Sequence, residues 1–257
     1  MRMAPRKTLL KPFGWRKPSL IFVNSMSDVF HPSLKASEIA QIFAVMALGD
    51  QHVYQVLTKR PDIMHAFVTD PATPALVELA MQAIQPGSRR PAWPLKNTWM
   101  GTSVEDQRRA GERIQSLLQV PAAVRFLSME PLLGEVFLED ELTKRDWKKL
   151  QWVIVGGESG PKARPMHPAW ARRIRDDCAK HGVRFFFKQV GSNAWVNDRK
   201  AGGFLTAAGR ITASRENSSD QGILRGSKKS GGRKLDGQLH EDMPVVFPSY
   251  KSSRRAA

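Results

Sequence analysis

A single cysteine, Cys178, in 257 residues excludes an intramolecular disulfide and any metal or iron–sulfur site built mainly from cysteines of this chain. Long apolar runs are missing too: none nears the ~20 residues that cross a bilayer, and the longest has the length of a strand. Arg2, Arg6, Lys7 and Lys11 are not followed by an apolar h-region, so no secretory signal is expected and the reading is a cytoplasmic protein without a membrane partner. Acidic residues are absent from residues 1–18, which carry six Lys/Arg. Residues 199–257 hold twelve Lys/Arg against five acids, whereas the residues between hold 22 against 19. The net charge of +16 therefore sits mostly at the two ends. That distribution argues against a basic groove built into the fold and leaves basic flanks able to touch phosphates without sequence preference.

What is present is the balance of a folded protein, 41% hydrophobic and 25% charged. Six short apolar runs rich in β-branched and aromatic residues read as buried strands: Leu20–Asn24, Val53–Thr58, Thr98–Thr102, Val124–Ser128, Trp152–Gly156 and Arg184–Phe187. They are continuous and do not alternate, which suits parallel strands covered on both faces. Helical patterns separate them. Ile39, Ile42, Phe43 and Met46 share one face of Lys35–Leu48. Ser103-Val-Glu-Asp106 reads as a capping box before a stripe of Ala110, Ile114, Leu117 and Leu118. A further helix runs from Pro168 to near Gly182, with Trp170, Ile174 and Cys178 on a shared face. The stretch Asp70–Pro94, with five prolines, is read as an insertion carrying a helix at Leu76–Ile84.

Strand ends spaced widely enough for a helical crossover predict an α/β fold, a partial (β/α) TIM-like barrel of about six parallel strands. It is preferred to a doubly wound sheet because no glycine-rich dinucleotide loop follows the first strand. Residues 1–18 are read as a basic flank, 19–196 as the barrel-like domain, and 197–257 as a basic, Gly/Ser-rich, partly disordered and flexible tail. Within that tail only Val245–Phe247 is expected to dock back.

Each strand is followed at once by polar or charged residues, and in parallel α/β folds the carboxyl ends of the strands form the ligand-binding rim. Lys59, Glu130, Glu158 and Lys188, with Asp28, are the candidate catalytic residues, because capping does not call for a charge directly after a strand. Asn24, Ser25, Ser27, Thr58, Arg60, Ser103, Glu105, Gly156, Gly157 and Ser159 are candidate ligand-binding residues, and helix starts and turns account for such serines equally well. Gly156-Gly-Glu-Ser-Gly160 could offer backbone N–H groups to an anion or be a plain turn, and it lacks the Gly-Lys-Ser/Thr ending of a P-loop. His31 and His167 have no metal-ligand spacing, so a helix-start or packing role is expected for them and no metal site is assigned.

The same blocks carry a resemblance. Trp15-Arg-Lys-Pro18, Ile21-Phe-Val-Asn-Ser-Met-Ser-Asp28, Val56-Leu-Thr-Lys-Arg-Pro61, Ser128-Met-Glu-Pro-Leu-Leu-Gly134, Val153-Ile-Val-Gly-Gly-Glu-Ser-Gly160, Ala163-Arg-Pro-Met-His167 and Phe186-Phe-Lys-Gln189 closely resemble the phage gp-thirty-seven/gp-sixty-eight family of uncharacterised proteins. That family resembles radical S-adenosylmethionine proteins through an upstream segment with three closely spaced cysteines. The resemblance implies an iron–sulfur cluster and S-adenosylmethionine in full-length relatives. The three-cysteine segment has no counterpart here, so this chain reads as a shortened phage or prophage protein, expected to bind no cluster and to be inactive in radical chemistry. Two alternatives stand beside that reading: a nucleic-acid-associated protein binding through its basic flanks, and a cluster-independent enzyme using the Glu/Lys rim. A partner protein encoded nearby would fit the first reading.

Overall fold

The structure is a computed structural model in which residues 4–196, 222–225 and 232–245 are described. A six-stranded parallel sheet follows the chain in simple order: β1 (Leu20–Val23), β2 (Val53–Thr58), β3 (Thr98–Ser103), β4 (Val124–Met129), β5 (Trp152–Gly156) and β6 (Arg184–Gln189). Sequential order with helical crossovers is the topology of a half-barrel, so the expected partial barrel stands. Each strand starts where its apolar run starts and ends within two residues of the expected position. The chain divides into two compact units, one made of residues 1–102, 116–125 and 244–257, the other of 103–115 and 126–243.

In the first unit α1 (Arg6–Leu9) and a 3-10 turn (Lys11–Gly14) precede β1, and α2 (Ala36–Leu48), α3 (Pro61–Thr69) and α4 (Thr73–Ile84) follow β1 and β2. The basic flank is therefore more than a tail. The Pro12 carbonyl lies 3.0 Å from Nε2 of fully buried His52, and Gln51 Nε2 donates to the Trp15 carbonyl. Pro61, at the first turn of α3, starts that helix directly after β2. Ile39, Ile42, Phe43 and Met46 are buried as the α2 periodicity predicts, and Phe43 anchors an aromatic cluster with Phe30, Phe67 and Trp93 at centroid distances of 5.1–6.3 Å.

In the second unit α5 (Gln107–Gln119), most of which lies there, buries Ala110 and Ile114. Its cap differs from the expected one. Asp106 accepts from the Arg109 N–H at 2.9 Å, while Ser103 is the last residue of β3, so the acidic residue next to the helix does the capping. Two short helices, α6 (Leu138–Glu141) and α7 (Lys144–Trp147), precede β5, and α8 (Pro168–His181) precedes β6. His167 caps α8 by accepting from the Ala169 N–H, and Gly182 closes it at φ 68°, a conformation that favours glycine. Ala171, Ile174 and Cys178 are its buried face, each side chain of that size contributing on the order of 1–2 kcal/mol, whereas Trp170 is half-exposed.

Docking of the tail is the largest departure. Beyond β6 the structure describes β7 (Asn193–Val196), β8 (Gly222–Arg225), β9 (Lys234–Leu235) and β10 (Gln238–Leu239). Residues around 232–242, not Val245, return to the domain. Leu235 is buried, Asp236 accepts from Arg172 and Arg175 of α8, and the segment at His240–Asp242 runs antiparallel along β6. Val245 is exposed, and Val246 and Phe247, with the expected disorder at 197–221, lie outside the described residues.

Candidate functional site

Asp28 organises the polar residues at the end of β1 and β2. Its Oδ1 accepts from Thr58 Oγ1 at 2.7 Å and the Phe30 N–H at 2.9 Å; its Oδ2 accepts from Arg60 Nη1 at 2.8 Å and the Lys59 N–H at 3.1 Å. Four donors on one carboxylate bind the loop after β1 to the end of β2. Thr58 is buried and Lys59 exposed, and Asn24 holds a positive φ of 56° at the start of the turn that carries exposed Ser25 and Ser27. The sequence places Asp28 among candidate proton carriers. Its geometry is that of a brace.

The second unit brings Glu130, Glu158 and Lys188 into two ion pairs. Glu130 follows β4 and meets Lys188 of β6, Nζ to Oε2, at 3.1 Å. The carboxylate side chain is only 16% exposed, against 57% for the lysine. Burial raises the Glu130 carboxyl above its ordinary value, and the lysine charge and hydrogen bond pull it back only in part. Two local features make room for the pair. An added Cβ at Gly156 would overlap the Glu130 carboxylate, so the end of β5 must be glycine for that side chain to lie across it. The β5–β6 register steps between Val155 and Gly156, from Val155 opposite Phe187 to Gly156 opposite Gln189, which leaves Lys188 without an opposite residue. A bulge of this kind re-aims a side chain, here toward Glu130.

After Glu130 the chain passes through a cis bond to Pro131, and the loop is fixed by the Leu132 N–H to the Gly156 carbonyl and the Leu133 N–H to the Glu105 carbonyl. Buried Glu105 in turn pairs with Arg113 at 2.8 Å, and Arg113 also donates to the Ser103 carbonyl. These two candidate binding residues thus sit within the frame behind the loop.

Glu158 has a different partner and a different state. Arg164 gives it three hydrogen bonds, from its N–H at 2.7 Å, Nε at 3.0 Å and Nη2 at 2.9 Å, which hold the carboxyl at about 2. The Gly156–Gly160 segment also uses its amides internally: the Gly157 N–H donates to the Gln189 carbonyl and the Gly160 N–H to Ser192 Oγ. A Cβ at Gly157 would strike the Val190 carbonyl, so this glycine serves close packing of β5 on the loop after β6. Ser159 Oγ accepts from Gln189 Nε2 at 2.6 Å.

Arg164 and Arg113 carry these pairs and are absent from the candidates read in the sequence. Arg164 stands in the Ala163–His167 block, where its spacing from Glu158 offers the one available signal, and Arg113 has none. His167 caps α8, the helix-start role expected of it, and His31 bonds Ser33 within the turn ahead of α2. Among the described residues no group of three or more His, Cys, Asp or Glu could hold a metal ion. No described helix is long and apolar enough to cross a membrane.

No curated protein and no solved structure matches the chain. One family does, over residues 1–244, with the description "Protein of unknown function (DUF5131)". Matched along nearly its whole length, the chain belongs to that uncharacterised family.

Proposed function

We propose that the chain binds a small polar molecule at the carboxyl ends of β4, β5 and β6 and moves a proton on it through Glu130, with Lys188 supplying positive charge beside the reacting group. The observation that carries this reading is the Glu130–Lys188 pair itself. A carboxyl raised by burial is closer to the value that lets one group both give and take a proton near neutral pH. Glu158, held at about 2, stays ionised and serves to fix the loop. The reaction class is general acid–base chemistry, independent of a cluster.

The resemblance to the phage gp-thirty-seven/gp-sixty-eight proteins supports a phage or prophage setting and a descent shared with radical S-adenosylmethionine proteins. The residues present do not fit an iron–sulfur cluster held by thiolates. Three cysteines are needed for the three-cysteine motif; this sequence has one, fully buried in α8, with its thiol pushed far up by burial. Shape and rim are thus the parts of the resemblance that this chain can use.

A fragment screen by protein-observed NMR, using small carboxylic acids, amides and phosphate esters, tests the reading. Hits should perturb Glu130, Gly156 and Lys188 and be lost in Glu130→Gln and Lys188→Met. Hits confined to other surfaces, or unaffected by both substitutions, contradict it.

A further inference from the structure

The backbone at Lys188 is fixed on both sides. The Phe187 N–H before it donates to the His240 carbonyl at 2.9 Å, and the Gln189 carbonyl after it accepts from the Gly157 N–H at 2.9 Å. Phe187 is fully buried, while the lysine side chain is 57% exposed, so an anchored strand presents an amine that a dissolved reagent can reach. Its partner is sheltered. Glu130 Oε2 lies 3.1 Å from Nζ, with the carboxylate in the space that any side chain at Gly156 would take. An amine within hydrogen-bond reach of a sheltered carboxyl is the arrangement that nucleophilic catalysis by lysine requires, the nucleophile beside the group that moves its protons.

A lysine attacks only when it is neutral, and here the bound ligand makes it so. Left to water, the pair is an ammonium and a carboxylate. A molecule laid over both removes that water, and desolvation disfavours the charged form of each, which drives the proton from nitrogen to oxygen. Burial already raises the Glu130 carboxyl above its ordinary value, so less is needed to complete the transfer. Lys180 and Glu139 make the same contact at 3.0 Å in the open, with 62% and 42% of their side chains exposed, and lack this shelter.

We infer that Lys188 is a Schiff-base lysine and that the small polar molecule is an aldehyde or ketone with a hydrogen on the carbon next to its carbonyl. This deepens the reading of the Glu130–Lys188 site and rests on it. Nζ attacks the carbonyl carbon, the carbonyl oxygen takes the proton that Glu130 received from the ammonium, and the carboxylate removes a proton from the new nitrogen. The carbinolamine then expels its hydroxyl, which takes that proton from Glu130 and leaves as water. A protonated imine beside a carboxylate remains, and no oxidant or reductant enters. The positive charge that the site supplies is now carried by the iminium nitrogen. It acidifies the adjacent C–H, and the Glu130 carboxylate, already next to Nζ, takes that proton to give the enamine.

The full chain is incubated with dihydroxyacetone or with pyruvate, treated with borohydride, which fixes an imine as a secondary amine, and mapped by peptide mass spectrometry. Lys188 should be labelled at least about tenfold faster than Lys180, a margin within what positioned proton transfer contributes. Glu130→Gln should bring it down to the rate of Lys180. Exchange of the probe's C–H hydrogens in heavy water, followed by proton NMR, should be accelerated by the parent and by neither Glu130→Gln nor Lys188→Arg, which keeps the charge but forms no imine. Labelling of Lys188 no faster than Lys180, or exchange that survives in Lys188→Arg, overturns the Schiff base. The Glu130 carboxyl titration tells the two failures apart: either result with a raised midpoint overturns the Schiff base and leaves the proton carrier standing, and with an ordinary midpoint it overturns both.

Discussion

Gly156 and Glu130 share one space: the α-carbon of the glycine lies where any side chain would overlap the glutamate carboxylate. The half-buried position of Glu130, and through it the raised carboxyl, depends on the smallest residue standing at the end of β5.

Gly156→Ala should therefore push Glu130 out of its seat. The expected cost is about 1–3 kcal/mol of unfolding free energy, the usual size for overpacking, measured by urea denaturation. Because the displaced carboxyl gains water, its titration should fall back toward the ordinary glutamate range. An alanine variant as stable as the parent, with an unchanged titration, would contradict this geometry.

Glu130→Gln has a pH-dependent signature. A carboxyl raised in the folded protein contributes stability below the unfolded-chain range and loses it as pH rises through the folded value. Glutamine cannot ionise, so the variant should gain on the parent as pH rises from about 4 to about 8. Lys188, more than half exposed, loses little by losing its partner. Melting temperatures across that range measure the difference, and a constant or shrinking gap would count against it.

Most of the fold was readable in the sequence because it rests on local rules. The six continuous apolar runs are the six strands, the α2 stripe is buried as its periodicity demands, and so are Ile174 and Cys178 of α8, with Ala171 in place of the expected Trp170. The misreadings lie where a choice depends on distant atoms. Ser103 and Asp106 both suit a cap, and only the length of β3 decides between them. The return of residues 232–242 to β6 rests on Asp236 meeting Arg172 and Arg175, a pairing across sixty or more residues that no local pattern reveals. At the rim, Glu130 and Glu158 look alike in sequence, each directly after a strand. What separates them is tertiary: one lies over a glycine beside a single exposed lysine, the other is clasped three times by Arg164.

Arg164→Ala isolates the second case. A carboxyl held at about 2 contributes stability above the ordinary carboxylate range and loses it as pH falls through that value. The variant should be less stable than the parent at neutral pH and converge with it in strong acid. Acid-unfolding curves that run parallel down to about pH 2 would refute the assignment.

Asp28→Ala removes an acceptor from four donors at once, Thr58, Arg60 and the amides of Phe30 and Lys59. A loss of about 2–4 kcal/mol is expected, with faster amide exchange at Phe30 and Lys59 than elsewhere in the first unit. Asp28→Asn, which keeps part of the acceptor capacity, should fall between the two. A neutral alanine substitution would show that the brace carries no weight.

The central claim is that Glu130 is a proton carrier tuned by burial against Lys188. Carbon-detected NMR titration of the Glu130 carboxyl, in the parent chain and in Lys188→Met, tests it most directly. The account predicts a midpoint above that of the exposed glutamates in the parent and a further rise once the lysine charge is gone. A parent midpoint at or below the ordinary glutamate value, or no movement in Lys188→Met, would contradict it.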